Sequence, residues 1–176
     1  LEVLVLAKGD LEESATRWAQ GGIAAVVLPE RTGDSLEAHL HDTIEVAAGL
    51  TDEENLRIMI YEGVDRVKGL IELGTGFDRH TDGGLQLTRE GAHSFARILH
   101  RGDTTGQEIA RALVEAVLGR KNILCRPGTF AIDLLDREGT CIGALVTNET
   151  GKPEAIWARS EERRVGDGGR SRGSPE

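Results

Sequence analysis

The sequence predicts an α/β chain with an antiparallel β appendage near its end. Three observations support this fold class: an apolar run at Val3 to Leu6, two stretches with helical spacing between Ser35 and Gly74, and a strand-turn-strand pattern that begins at Phe130. The chain has 176 residues, of which 39% are hydrophobic, so it is long enough for one ordinary domain. We find no internal repeat in it.

The first elements alternate between strand and helix. Residues Val3 to Leu6 are all apolar, as in a strand of a parallel sheet that is buried on both faces. A second apolar run, Ile23 to Leu28, predicts another strand. From Ser35 to Leu50 the apolar and small residues recur at helical spacing, and either Asp34 or Ser35 is the cap. A natural domain seldom opens on a central strand, so we expect an N-terminal part of this fold to be missing.

A longer helix is predicted to follow. The stretch Thr51-Asp52-Glu53-Glu54 opens it, and Thr51 with Glu54 matches a capping box. Gly74 and Gly76 end it. Its apolar positions trace one face: Leu56, Met59, Ile60, Val64, Val67, Leu70 and Ile71.

The second half of the chain is predicted to run from loops through one helix to a β region. Loops and short strands fill the stretch from Phe77 to Asp103, and an amphipathic helix spans Thr105 to Leu118, ended by Gly119. Phe130 to Leu135 and Cys141 to Thr147 then flank a turn and predict a hairpin, and Glu154 to Ala158 adds a strand.

The last residues differ in composition from the rest. From Glu161 to Glu176 the only apolar residue is Val165, so this stretch is predicted to be disordered. We therefore divide the chain into one domain, residues 1–159, and a tail, residues 160–176.

Composition excludes several classes of function. The formal net charge is −9, which argues against nucleic acid or an anionic membrane as partner. No apolar run approaches the roughly 20 residues of a membrane span, and the first residues lack the basic flank of a signal peptide. Cys125 and Cys141 lack metal-ligand spacing, so we expect two structural thiols, no metal site and a cytoplasmic location. A small-molecule partner fits best.

Two motifs carry the chemistry. The first, Ser14 to Ala25, contains the pair Gly21-Gly22, which lets a backbone pass close to a flat ligand, although such a pair before a strand is more often only a turn. The second, Leu87 to Ser94, gathers Arg, Glu and His among small residues and is followed by Arg97 to His100. Such a cluster can bind a dicarboxylate, but similar clusters occur on solvated loops. We expect His93 and His100 to be hydrogen-bonded loop residues rather than acid-base groups.

From Leu1 to about Arg159 the chain resembles the L-aspartate oxidase family, within the succinate dehydrogenase and fumarate reductase flavoproteins. The resemblance implies FAD as cofactor and L-aspartate as substrate, with Glu90 facing the substrate's amino group. Succinate dehydrogenases place a His where Ala15 stands and bind FAD covalently through it, so the resemblance implies noncovalent FAD here. The positions that match cofactor contacts are Lys8, Ser14, Ala15, Thr16, Trp18, Ala19, Gln20, Gly21 and Gly22.

The resemblance also implies a reaction and a partner. The family moves a hydride from L-aspartate to the flavin, giving iminoaspartate for NAD biosynthesis with quinolinate synthase. The sequence departs from the family pattern at Ala92, usually Gly, at Phe95-Ala96, usually more basic, and at Arg101-Gly102, commonly two alanines.

The resemblance implies that parts of the family's fold are missing from this chain, and their absence limits the activity that we expect of it. The Gly-rich dinucleotide fingerprint would precede Leu1, so the fold is expected to be a partial Rossmann-like FAD-binding domain whose N-terminal strand-helix unit is missing. A frameshift near Val165 would explain the tail. We therefore expect the isolated chain to bind FAD poorly and to turn over nothing.

Two alternatives stay open from the sequence. One is a fragment of a fumarate reductase or succinate dehydrogenase flavoprotein, which Ala15 and the Arg89-Glu90 pair disfavour. The other is a non-catalytic flavin-binding or interaction module.

Overall fold

A computed structural model describes residues 1–148 and 150–158. The chain divides into two compact units: the first comprises Leu1–Val3 and Leu11–Leu124, and the second comprises Leu4–Asp10 and Cys125–Glu176. Helices and strands are mixed, as the sequence predicts. The predicted tail, residues 160–176, lies outside the described residues, and the predicted domain boundary at residue 159 stays a prediction.

The first strand is present, but its expected burial is wrong. Strand β1 (Val3–Leu6) forms a two-stranded sheet with β5 (Ile123–Arg126). Val3 is 37% exposed and the other three residues of β1 are half-buried. In a sheet of two strands each strand is an edge strand, which keeps part of its surface in water even when its residues are apolar.

Helices α1 (Pro29–Thr32) and α2 (Leu36–Ala47) follow the glycine pair. Ser35 caps α2, because its hydroxyl accepts a hydrogen bond from the backbone N–H of Ala38 at 3.0 Å. This decides between the two caps that the sequence left open. The carboxylate of Asp34 accepts from the N–H of Ser35 at 2.8 Å and points into the protein, where it is buried.

Helix α3 (Glu53–Glu72) begins one residue later than the predicted capping box requires. The carboxylate of Asp52 accepts from the N–H of Asn55 at 3.0 Å, so Asp52 is the cap and the pairing of Thr51 with Glu54 is wrong. A carboxylate suits this end of a helix because it also faces the positive pole of the helix dipole. Met59 belongs to the predicted apolar face, yet 63% of it is exposed. A small core between α2 and α3 is formed by Leu40, Leu56 and Ile60.

A three-stranded antiparallel sheet lies at the centre of the first unit. Its strands are β2 (Ile23–Ala24), β3 (Leu87–Thr88) and β4 (Ile98–Leu99), in the order β2-β4-β3. Strand β2 is shorter than the predicted run to Leu28, because the chain turns into α1 at Pro29. The core against this sheet contains Ala25, Val67, Phe77 and Leu99. Helix α4 (Thr105–Leu118) has the predicted bounds.

The second unit contains the predicted hairpin. Strands β6 (Phe130–Arg137) and β7 (Thr140–Thr147) pair antiparallel, and β8 (Pro153–Trp157) pairs with β7. The turn residues Glu138 and Gly139 both have positive φ, 54° and 77°, as two-residue hairpin turns require.

Within the part of the chain that the structure describes, no helix is long and apolar enough to cross a bilayer, and neither cysteine forms a disulfide.

Candidate functional site

A short 3-10 helix, Ala15–Trp18, leads into the glycine pair. The segment after it is held by the start of α4, because the N–H of Gly106 donates to the carbonyl of Ala19 at 2.9 Å. The contact requires a glycine: a Cβ at position 106 would overlap the carbonyl oxygen of Thr16 and lie 2.8 Å from the Cβ of Ala19. The two backbones therefore touch, which fixes the path of the chain toward Gly21.

The two glycines of the pair differ in their surroundings. A Cβ on Gly22 would lie 2.5 Å from the carbonyl oxygen of Leu99 and would overlap the side chain of Ile98, so Gly22 is needed for close packing against β4. A Cβ on Gly21 would have nothing within 4 Å. Gly21 thus presents bare backbone to open space, and nothing in the described protein requires a glycine there.

The loop after β3 carries Glu90. Arg89 and Glu90 are both exposed, and Ala92 has a φ of 68°, in the left-handed region that favours glycine. Ala92 is the position where the family resembled by the sequence usually has Gly. Glycine adopts this conformation without strain, so the alanine adopts it at an energetic cost.

Glu90 and the glycine pair line one cleft of about 440 Å³, which lies entirely within the first unit. The backbone of Gly21 forms part of one wall, and the carboxylate-bearing loop forms another. Among the described residues that line it there is no Lys or Arg. The lining residues are Gln20, Gly21, Gly22, Thr88, Glu90, His100, Gly102 and Asp103.

His100 is fixed in the cleft wall by Asp78. Its Nδ1 lies 2.9 Å from Oδ2 of Asp78, and because an ionised carboxylate only accepts, Nδ1 is the donor. Asp78 also accepts from the backbone N–H of Gly102 at 2.7 Å. The hydrogen bonds from Gly102 and His100, together with the nearby charge of Arg101, lower the pKa of Asp78 although partial burial opposes this. Nε2 of His100 is buried and has no hydrogen-bond partner among the described residues.

A polar cluster anchors the far end of the Glu90 loop. Arg97, Asp34 and Asp42 form its buried centre, and His93 and Ser94 lie at its edge; it is called the buried cluster below. Arg97 is completely buried and donates to Asp34 at 2.7 and 2.8 Å and to Asp42 at 2.7 Å. Asp42 accepts in addition from the backbone N–H and the hydroxyl of Ser94, at 2.8 and 2.7 Å. Nη1 of Arg97 lies 3.1 Å from Nδ1 of His93. The loop is thereby tied to α2 a few residues after Glu90.

The buried cluster shifts the pKa of Asp42 and of the neighbouring His39. Burial opposes ionisation of Asp42, but the hydrogen bonds from Ser94 and Arg97 outweigh it and lower the pKa of Asp42 to about 2. Burial, with the nearby charges of Arg97 and His93, lowers the pKa of His39 to about 4. His39 is therefore neutral in the folded protein near neutral pH, and its Nδ1 has no partner within the described residues.

A second, smaller pocket of about 180 Å³ lies against α4 and is lined by charged side chains. These charges are already paired: Arg17 with Glu12 at 3.1 Å, and Arg111 with Glu108 at 2.6 Å. Hydrogen bonds from Arg111 lower the pKa of Glu108 to about 2. Since the pairs neutralise one another, this pocket is the weaker candidate for a ligand site.

The structure brings some of the sequence-predicted site residues together and leaves others apart. Gln20, Gly21, Gly22 and Glu90 share the cleft. Lys8 is exposed and belongs to the second unit, and Trp18 is 76% exposed. Four further predicted residues lie near the 3-10 helix, exposed or half-buried, and are not among the cleft-lining residues: Ser14, Ala15, Thr16 and Ala19.

Sequence reasoning missed four residues of the cleft and the acids of the buried cluster. Thr88 directly precedes Arg89-Glu90, so its place in the motif could have indicated it. His100, Gly102 and Asp103 reach the cleft through the turn that links β4 to α4, which no local pattern reveals. Asp34 precedes α2 and Asp42 lies within it, and nothing in the sequence distinguishes them from exposed acids. Only their burial shows that they belong to the buried cluster.

Comparison with known families and proteins gives consistent similarities. The model of a family described as FAD binding domain matches residues 1–168. The chain is 49% identical over 133 residues to the chloroplastic L-aspartate oxidase of Arabidopsis thaliana, which is 76% of this chain and 20% of the relative. It is 48% identical over 145 residues to the L-aspartate oxidase of Streptomyces coelicolor, and this alignment covers 81% of this chain and 24% of the relative. It is 36% identical over 173 residues to the L-aspartate oxidase of Pseudomonas aeruginosa, and this alignment covers 90% of this chain and 32% of the relative. The chain thus spans only a fifth to a third of these relatives' length.

Solved structures resemble the fold as well. The Sdh1 complex of Mycobacterium smegmatis in its apo form matches with a TM-score of 0.82 and 29% identity, over 91% of this chain and 29% of that chain. FrdA of the E. coli quinol fumarate reductase matches with a TM-score of 0.81 and 25% identity, over 90% and 27%.

Proposed function

Because the chain belongs to the FAD binding domain family of oxidoreductases, we propose that it is the flavin-facing part of an L-aspartate oxidase. In this proposal the complete enzyme oxidises L-aspartate to iminoaspartate, a step toward NAD. The same proposal includes three further points: the chain is a partial Rossmann-like domain, quinolinate synthase is the next enzyme, and the location is cytoplasmic. The Arabidopsis relative is named as chloroplastic.

One observation carries the proposal: Gly21 and Glu90 line the same cleft. The bare backbone of Gly21 suits the close approach of a flat ring, because no described residue lies within 4 Å of where its Cβ would be. The partnerless Nε2 of His100 adds a polar atom that a ligand can satisfy. The residues present therefore fit a flavin with a small polar substrate beside it.

Four residues of the cleft have a defined task in this proposal. The backbone of Gly21 and Gly22 and the amide of Gln20 hold and orient FAD, which supplies the two-electron oxidation when bound. Glu90 accepts hydrogen bonds from the ammonium group of L-aspartate and orients it. Because Ala15 has no group that can bond covalently to a flavin, FAD is held noncovalently. The remaining positions assigned to FAD by family resemblance are Lys8, Ser14, Thr16, Trp18 and Ala19.

The degree of similarity favours an L-aspartate oxidase over the related dehydrogenases. The chain is 36–49% identical to the L-aspartate oxidases quoted above but 25–29% identical to the Sdh1 and FrdA chains. Glu90 points the same way, because a carboxylate attracts an ammonium group and repels a second carboxylate. A fragment of a fumarate reductase or succinate dehydrogenase flavoprotein is therefore the weaker reading.

The chain on its own is proposed to bind FAD weakly and to lack turnover. It spans a fifth to a third of the relatives' length, so most of each relative has no counterpart in the aligned residues. A non-catalytic flavin-binding module would behave in the same way in a binding test, and only turnover in a longer protein separates the two readings.

Titration of FAD against the purified chain, followed by flavin fluorescence and visible absorbance, tests the proposal. We expect weak but saturable binding that Gly21→Val weakens about tenfold or more, because a branched side chain would occupy the flavin position. Gly63→Ala is the matched control, since a Cβ there also meets nothing within 4 Å but lies on α3, away from the cleft. An absence of saturable binding would sink the FAD assignment. Stoichiometric yellow protein with aspartate-dependent peroxide would contradict the proposed lack of turnover.

A further inference from the structure

One ring nitrogen of His100 forms a hydrogen bond and the other has no partner among the described residues. Nδ1 donates to Asp78 at 2.9 Å, while Nε2 is buried without a partner among the described residues. A buried polar atom that forms no hydrogen bond is unfavourable, and such atoms are rare in proteins. The ring lines the cleft that also contains Gly21 and Glu90, and its side chain is 17% exposed.

The pairing with Asp78 defines what Nε2 can offer. The tautomer that directs its Nδ1 proton at the carboxylate leaves a lone pair on Nε2, and that lone pair accepts a hydrogen bond. The ring cannot turn over to present Nδ1 instead without breaking the contact with Asp78. That carboxylate is itself fixed by the backbone N–H of Gly102 at 2.7 Å, so the orientation of the ring is held from behind.

The described lining of the cleft around His100 is rich in acceptors, and Arg89 and Arg101 adjoin lining residues along the chain. Glu90 and Asp103 add two carboxylates and Thr88 adds a hydroxyl, whereas neither Lys nor Arg is among its described lining residues. An acceptor-rich lining of this kind favours a group with several N–H donors. The chemistry that it recognises is therefore a primary ammonium group.

We propose that Nε2 of His100 accepts a hydrogen bond from the ammonium group of the substrate, beside Glu90, and thereby selects an α-amino acid over the corresponding dicarboxylate. This rests on the proposed function, which supplies the amino acid and the flavin beside it. It adds His100 as a substrate-contacting residue, backed by Asp78 as a positioning residue. Because Nε2 is shielded from bulk water, the exposed rim of the cleft at Glu90 and Gly102 has to move slightly to admit the donor.

The first test needs no substitution. The full chain is labelled with ¹⁵N in its histidine rings, and NMR spectra are recorded with excess FAD while either L-aspartate or succinate is added. The expected result is that the Nε2 signal of His100 shifts with L-aspartate and not with succinate, because succinate has no ammonium group. A His100 signal that stays unchanged while L-aspartate demonstrably binds would overturn the inference.

The second test measures selectivity in variants. His100→Ala is expected to weaken L-aspartate binding about tenfold to a hundredfold, the loss for one hydrogen bond to a charged group, and to change succinate binding less than about twofold. His100→Gln keeps an acceptor oxygen and is expected to restore part of the selectivity. His41→Ala is the matched control, because His41 is an exposed histidine on α2.

The outcomes separate this inference from the proposed function. If the wild-type chain with FAD binds L-aspartate and succinate equally, or binds neither, the proposed substrate fails and the inference fails with it. If the wild-type chain prefers L-aspartate and His100→Ala keeps that preference, the inference alone is overturned.

Discussion

Arg97 and Asp34 form a bidentate ion pair in which the side chains are 0% and 1% exposed, with Nε to Oδ2 at 2.8 Å and Nη2 to Oδ1 at 2.7 Å. Asp42 joins the same guanidinium at 2.7 Å and accepts two more hydrogen bonds from Ser94. This buried cluster connects α2 to the loop that carries Glu90. A surface loop with an exposed carboxylate is thus anchored by interactions that water does not screen.

Removing the guanidinium should strongly destabilise the first unit. We expect Arg97→Met to lower the free energy of unfolding by about 3–5 kcal/mol, because two buried carboxylates lose their partner. Urea denaturation followed by circular dichroism measures this. Arg66→Met is the control, because Arg66 belongs to an exposed pair on α3 and its loss should barely move the midpoint. Equal midpoints for the two variants would mean that the cluster contributes little.

Stability should fall as the pH is lowered from about 6.5 to about 4, because of His39. Its pKa is lowered in the folded state, so within this window the unfolded chain binds a proton that the folded chain does not, and acid favours unfolding. His39→Gln should flatten this part of the profile of unfolding free energy against pH, whereas His41→Gln should not. Below that window, Asp42 and Glu108 should continue the loss until about pH 2, because the stability from a lowered carboxyl pKa disappears as the carboxyl is protonated. A wild-type profile that is level between pH 6.5 and 4 would contradict the assignment to His39.

The two neighbouring glycines should respond differently to the same substitution. Gly22→Ala is expected to cost about 1–3 kcal/mol of stability, because the added methyl would collide with Ile98 and with the backbone of Leu99. Gly21→Ala should leave the melting temperature nearly unchanged, since its methyl would meet open space. Differential scanning calorimetry without FAD compares the two. A melting temperature lowered equally by both changes would mean that Gly21 also serves packing.

Ala92→Gly should stabilise the loop after Glu90. A residue with a Cβ pays a cost at a φ of 68° that glycine does not, so we expect a gain of about 0.5–1 kcal/mol in the free energy of unfolding. Ala116→Gly on α4 provides the opposite case, because glycine in a helix interior costs about 1 kcal/mol. Thermal melts of both variants give the sign directly, and a lower melting temperature for Ala92→Gly would argue against the left-handed conformation.

Local sequence signals were sufficient where neighbouring residues decide the structure. The bounds of α4, the cap at Ser35 as one of two choices and the hairpin about Glu138 and Gly139 all followed from residues within one or two turns of each other. The same signals were wrong where two local solutions compete. Asp52 took the cap predicted for Thr51, and Met59 lies on the exposed side of α3 although it fits the apolar pattern.

The sequence by itself determined the family, the order of the elements and the residues that resemble a flavin site, because these depend on residue types and on their order along the chain. Only the tertiary structure decided that Gly21 and Glu90 meet in one cleft, that Gly22 rather than Gly21 is needed for packing, and that Arg97 is buried between two aspartates. The physical reason is distance along the chain: Glu90 and Arg97 lie more than 50 residues from Gly21 and Asp34, and burial depends on which distant segments arrive together. A side chain's charge and size are written in the sequence, but whether water reaches it is a property of the assembled fold.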